Sequence, residues 1–444
     1  MSDEALLRTL TRAAIVAVGS ELLGTTRIDT NSLYLTEQLN GVGIDVVGKA
    51  IVGDDRGECA HVLRSMFAPV DLLVVCGGLG PTDDDVTRDV VAAVFDRPLA
   101  EDTGLTERLR ARYAARGYSG TMPENNRRQA MVPHGASVIA NANGSAPGLW
   151  LDVEDRVVLL LPGPPRELRP MFAALVDQRL RARTDGSCVA RGVIKITGRI
   201  ESQVDQLLQP LYAEWTAQEP AIAATILAAL GQIELHLSTR HRAAESARAC
   251  LAAATAQVLA TVGDDVFSVD GRRLEEVVGS LLAAQGLTVA VAESCTGGLM
   301  TSRLTDVPGS SRYVQEAVVA YANEPKVRVL GVPAELITAH GAVSEPVARA
   351  MAEGVRALAG AGIGVGITGI AGPDGGTADK PVGTVAVAVA AAGGTRARVF
   401  RFHGERELVK FQASQAGLDM VRRLLTTLAS EAAPQANEHA APPR

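Results

Sequence analysis

The sequence predicts a multidomain α/β protein, with two units on largely parallel sheets and a small α+β module between them. Three observations carry that prediction. The chain has 444 residues, more than one ordinary domain, and is 47% apolar with only 3% aromatics, enough aliphatic material for two or three cores. Strand-like apolar runs alternate with helix-like amphipathic stretches from Ala13 onward, the pattern of βαβ units. Two such runs end in glycine-rich turns, Gly77-Gly78-Leu79-Gly80 and Thr296-Gly297-Gly298, and the carboxyl end of a parallel strand is where α/β folds bind ligands.

Taken in chain order, the expected strands of the first unit are 14–18, 45–52, 72–76, 137–139 and 157–161, with helices at 31–39 and 61–67. Pro162-Gly163-Pro164-Pro165 breaks the pattern, and a helix over 166–176 closes a unit of residues 1–175. A module over 176–264 follows: a helix from about Gly198 to Leu208, a half-exposed strand in the alternating 232–238, and an alanine-rich helix over 242–261. The last unit, 265–432, places strands at 287–291, 362–368 and 381–391, and the Ala- and Pro-rich tail 433–444 is expected to be disordered.

Composition excludes several classes. A net charge of −7 is wrong for a general nucleic-acid or anionic-membrane binder, which needs a basic surface. The five cysteines show no C-x-x-C spacing and are odd in number, which argues against a disulfide framework or structural zinc and for a reducing compartment. No apolar run approaches membrane-spanning length and the first residues lack a secretory pattern, so a cytoplasmic location is expected.

The turn after 287–291 carries the first candidate chemistry. Ser294 sits at a strand-to-helix turn, where an attacking hydroxyl would be, and the amides of Thr296, Gly297 and Gly298 at a helix start could bind a phosphate or an oxyanion. No histidine lies nearby, so Lys326 is the base this pattern offers, with Tyr321 to orient the pair or relay a proton. An ammonium cannot take that proton. With an ordinary pKa near 10.4, roughly one lysine in a few thousand is neutral at pH 7, and lowering the pKa by about 3 units costs about 4 kcal/mol that folding must supply. The blander reading keeps Ser294 as a helix cap and Lys326 as a solvated charge. Cys295 is the rival nucleophile, with no histidine beside it to stabilise a thiolate.

Ala292-Glu293-Ser294-Cys295-Thr296-Gly297-Gly298, the Tyr321 to Lys326 stretch, His340 to Pro346, and Gly369 to Gly376 with Lys380 to Thr384 together resemble the CinA C-terminal domain. The resemblance implies nicotinamide-nucleotide amidohydrolase activity, converting nicotinamide mononucleotide to nicotinate mononucleotide and ammonia without a cofactor, with Ser294 as nucleophile and Lys326 as base. Pro325, directly before the lysine, departs from the family pattern. The loop containing Gly369, Gly372 and Asp374 is either a substrate-binding loop, with Asp374 on ribose hydroxyls, or a long turn.

In the first unit, Gly77, Gly78 and Gly80 lead into Thr82 and the consecutive carboxylates Asp83, Asp84 and Asp85. Two such charges about 4 Å apart repel by roughly 4 kcal/mol at an effective dielectric near 20, a cost that a divalent cation removes. The alternative is an acidic cap on the helix beginning near Val86. With Asp29-Thr30-Asn31, Asn143 to Gly148 and Leu161 to Glu167, this stretch resembles the N-terminal CinA domain, similar to molybdopterin-binding domains of the MoaB and MogA type. That likeness implies a Mg-, Mn- or Co-dependent ADP-ribose pyrophosphatase, or else a nucleotide- or molybdopterin-binding sensor, with Asn31 among the binding residues and a KH-type fold for the middle module. A homodimer is the expected assembly.

Overall fold

The computed structural model describes residues 8–115 and 122–432, so the tail expected to be disordered lies outside the described residues. The described residues form two compact units, one within 8–190 with 219–221 and 238–251, the other of 191–218, 222–237 and 252–432. The segment 176–264 is thus shared between them.

The first unit is built on a six-stranded sheet in the order Asp45–Val52, Arg12–Val18, Leu72–Cys76, Arg156–Leu161, Gly148–Val153, Ala136–Ile139. The first four run parallel and the last two antiparallel. Leu72–Cys76 is buried along its whole length because helices cover both faces of a parallel sheet, and its sequence LLVVC is accordingly apolar without alternation. The helix expected from His61 starts at Arg56, because Asp55 accepts the amide of Glu58 at 2.9 Å and caps it. Helix Thr103–Ala115 and the small pairing of Leu99–Glu101 with Met131–Pro133 were not foreseen.

The second unit centres on a five-stranded sheet, Val314–Val319, Val289–Glu293, Ile363–Gly369, Thr384–Ala391, Gly394–Arg401, parallel over its first three strands and antiparallel over the rest. The period-two alternation of Val289–Glu293 divides its side chains. Val289 and Val291 pack with residues of Leu274–Gln285 and Arg406–Ala432, while Ala290 and Ala292 pack with Val347, Met351 and Val355 of Glu345–Ala359. That second helix lies so close that a Cβ on Gly366 would stand 2.3 Å from the Ala348 carbonyl oxygen.

The middle stretch contributes a four-stranded sheet, Ile222–Ala229, Gln232–His241, Cys188–Ile196, Val266–Ser268, with helices Glu201–Ala217 and Ala244–Val262. Gln232–His241 alternates buried and half-buried positions as its sequence pattern requires. No described helix is long and apolar enough to cross a membrane.

Candidate functional site

Ser294 follows strand Val289–Glu293 and is 7% exposed; its amide donates to the Ile367 carbonyl of the neighbouring strand at 2.9 Å. Lys326 lies on the short helix Asn323–Arg328 and is 1% exposed. Its Nζ is 3.1 Å from Ser294 Oγ and also reaches the carbonyls of Ala320, Tyr321 and Ala322 at 2.8, 3.2 and 3.2 Å. Pro325 does not disturb this reach: it falls in the first turn of its helix, where an amide has no intrahelical acceptor to lose. Burial pulls the lysine pKa below its ordinary value. As a neutral amine Lys326 offers two N–H bonds to these three carbonyls, and its lone pair is left for the serine hydroxyl.

The turn itself is held by a group the sequence reading did not single out. Glu293, fully buried, accepts from the amides of Gly298, Met300 and Thr301 at 3.0, 3.1 and 2.9 Å and from the Thr301 hydroxyl at 2.7 Å. It thereby caps helix Leu299–Thr305 from the residue next to Ser294, and its signal in the sequence was a lone carboxylate ending an apolar run just before a helix start. This corrects the expectation for the glycine amides. The Gly298 amide is taken by Glu293 and the Gly297 amide by the Ser294 carbonyl at 3.1 Å, so neither is free for an anion. Among the described residues, the Thr296 hydroxyl is buried without a partner. Cys295 turns into the core beside Val289 and Val291, and burial pushes its thiol up to about 12.

Tyr321 touches the lysine through its carbonyl rather than its phenol. The phenol is more than half exposed and accepts from Arg406 Nη2 at 2.7 Å, while Arg406 Nη1 donates to the Gly372 carbonyl at 2.7 Å. Arg406 thus ties the lysine segment to the glycine loop; standing 80 residues further on, it gave no local signal. Gly369 must lack a side chain, since a Cβ there would lie 2.9 Å from Cys295 Sγ, whereas Asp374 lies exposed on the loop. A Cβ on Gly297 would be 3.8 Å from Lys410 Nζ, so a second cation stands beside the serine turn.

In the first unit a cavity of about 800 Å³ opens at the carboxyl ends of the parallel strands, bounded by Asp29, Asn31, the Gly77–Gly80 turn, Asp84 and Gly163. Gly77 has φ +101° and a Cβ there would stand 2.1 Å from the Val18 carbonyl oxygen, so only glycine fits. Arg88, 2% exposed, braces the turn from behind through the carbonyls of Leu79 and Gly80 at 2.5 and 2.8 Å. The three carboxylates do not converge as expected. Asp85 lines the cavity but is engaged by the amides of Gly80 and Thr82 and the Thr82 hydroxyl, Asp83 points to solvent against Arg128 at 2.7 Å, and Asp84 lines the cavity beside Asp85. Among the described residues no three His, Cys, Asp or Glu side chains stand together to hold a metal ion. The reason is local: turn amides compete for carboxylates more cheaply than like charges crowd together. Asn31 donates to the Gly163 carbonyl at 2.7 Å, and its Oδ1 and the Oε1 of Gln129, both on residues lining the cavity, are buried without partners.

Residues 271–425 match the family model described as the CinA C-terminal domain, and residues 14–182 match that described as a probable molybdopterin binding domain. A CinA-like protein of Koribacter versatilis is 46% identical over 417 residues, 93% of this chain and 99% of the relative. A competence-damage inducible protein of Symbiobacterium thermophilum is 46% identical over 426 residues, 93% of this chain and 98% of its own. The crystal structure of a competence-damaged protein (CinA) superfamily protein from Klebsiella pneumoniae, 34% identical, covers 35% of this chain and 99% of its own with a TM-score of 0.34.

Proposed function

This chain belongs to the CinA family, and from that premise we propose that its second unit hydrolyses the carboxamide of nicotinamide mononucleotide to nicotinate mononucleotide and ammonia. The observation that supports this reading best is the approach of the buried Lys326 amine to within 3.1 Å of Ser294 Oγ with no carboxylate among its hydrogen-bond partners. Ser294 Oγ attacks the carboxamide carbon as Lys326 takes the hydroxyl proton. The electron-withdrawing pyridinium makes that carbon more receptive than a neutral amide would be. The buried Thr296 hydroxyl, without a partner among the described residues, is the donor this reading assigns to the oxyanion. Collapse of the tetrahedral adduct breaks the C–N bond, Lys326 returns the proton to the departing ammonia, and water then cleaves the acyl-serine. Arg406, beside Tyr321 and the Gly372 loop, and Lys410, beside Gly297, are the cations this reading assigns to the substrate phosphate. The test is ammonia release from nicotinamide mononucleotide by the purified protein and by its Ser294→Ala variant.

For the first unit we infer a nucleotide or pterin ligand in the 800 Å³ cavity, supported by the unpartnered acceptors of Asn31 and Gln129, which call for donor groups such as ribose hydroxyls or ring N–H. ADP-ribose cleavage to AMP and ribose 5-phosphate is the activity to assay there, with Mg, Mn or Co supplied. Asp29, Asp54, Asp84 and Asp85 all line the cavity, but among the described residues no three such side chains stand together to hold a metal ion, so no hydrolytic step is routed through one. The protein is read as acting in the cytoplasm as a homodimer.

A further inference from the structure

A second cavity of the first unit, about 420 Å³, lies between helix Thr103–Ala115 and the segment 138–147. Its floor is apolar, from Leu105, Leu109, Val138 and Pro147, and its charged lining consists of Arg108 and Arg112 alone. The two arginines are four apart on one helix and so share a face. Arg112 is fixed by a bond from Nη1 to the Ala142 carbonyl at 3.2 Å, while its Nε is buried without a partner among the described residues. Arg108 makes no ion pair among the described residues. The carboxylate nearest in the network, Glu167, lines the larger cavity instead and is held by Asn141 Nδ2 at 2.8 Å. Ser145 lines both cavities.

Two guanidinium groups with spare donors over a leucine floor, and no carboxylate lining, make a receptor for a compact dianion attached to an apolar body. Planar forks of N–H donors match a phosphate bidentately, and a half-enclosed apolar floor strengthens the pairing while accepting a ring or aliphatic face. We propose that this pocket is a binding subsite for an organic phosphomonoester, its phosphate on Arg108 and Arg112 and its apolar part on Leu105, Leu109 and Pro147. It stands apart from the amidase reading, and it holds whether or not the neighbouring cavity hydrolyses anything.

AMP and adenosine serve as probes by titration calorimetry with the full chain. The parent protein binds AMP at least tenfold more tightly than adenosine, and the Arg108→Gln/Arg112→Gln variant loses that preference. AMP also protects Arg108 from an arginine-specific glyoxal reagent, read by peptide mass spectrometry on the parent protein. If the double variant does not fold, Arg108→Gln alone, at an exposed position, must weaken AMP binding at least threefold. An unchanged AMP preference in a folded variant, no preference in the parent, or full labelling of Arg108 under saturating AMP overturns the proposal.

Discussion

Replacing Lys326 by methionine separates its two roles, as base and as a buried ionisable group. Methionine keeps most of the volume of a residue 1% exposed but offers neither lone pair nor donor. Without a base, Ser294 attacks as a neutral hydroxyl, and loss of one member of such a unit costs about 10⁴ to 10⁶ in kcat. The effect on stability depends on pH, with a definite sign. The carbonyls of Ala320, Tyr321 and Ala322 lose the two N–H donors of the neutral amine at about 1 kcal/mol each, or about 2 kcal/mol in all. Against this stands the cost of burying an ammonium, which the parent bears and the variant does not. The folded-state pKa is lowered, so between that value and about 10.4 the unfolded chain holds one more proton than the folded one. Parent stability relative to the variant therefore rises with pH in that window by about 1.4 kcal/mol per unit, and is level below and above it. Urea unfolding of both proteins from pH 6.5 to 10.5 measures the slope; ammonia release from nicotinamide mononucleotide measures the rate, and the parent's kcat/KM should climb with pH up to the folded-state pKa and level off above it, where the stability slope begins. A stability difference that stays flat across this range, or a variant within tenfold of parent activity, would refute the buried-amine argument.

Ser294→Ala should lower ammonia release by several orders of magnitude while Cys295→Ala keeps most of it, since a thiol at about 12 leaves about one thiolate in 100,000 at pH 7; the reverse pattern would reassign the nucleophile. Glu293→Gln presents an amide group to three backbone N–H donors, so a loss of about 2 to 3 kcal/mol in denaturant unfolding and a fall in kcat larger than any rise in KM are expected. Arg406→Ala removes both bridges to Tyr321 and Gly372, and should raise KM for nicotinamide mononucleotide at least tenfold in steady-state assays. Asp84→Ala should abolish any metal-stimulated AMP release from ADP-ribose without shifting the thermal midpoint; if the parent releases no AMP with any of the three metals, the pyrophosphatase reading is lost.

Much of this protein is written in local pattern. The unbroken apolar runs at 72–76 and 157–161 and the alternation at 232–238 already specify fully covered and half-covered strands, because burial on two faces or one imposes different periodicities. The serine turn and the lysine that follows are likewise visible as residue types. What the local pattern could not decide is where long-range packing directs each side chain. Ser294 and Cys295 are adjacent, and only the turn that leaves strand Val289–Glu293 and the packing around it send one toward Lys326 and the other into the core. Three neighbouring aspartates look equivalent in sequence, yet turn amides, an arginine 45 residues away and the open cavity draw them apart. Hydrogen-bond competition of this kind is settled by partners brought together only when the chain folds, which is why the chemistry of Ser294 was legible early and the roles of Glu293, Arg88 and Arg406 had to await the tertiary structure.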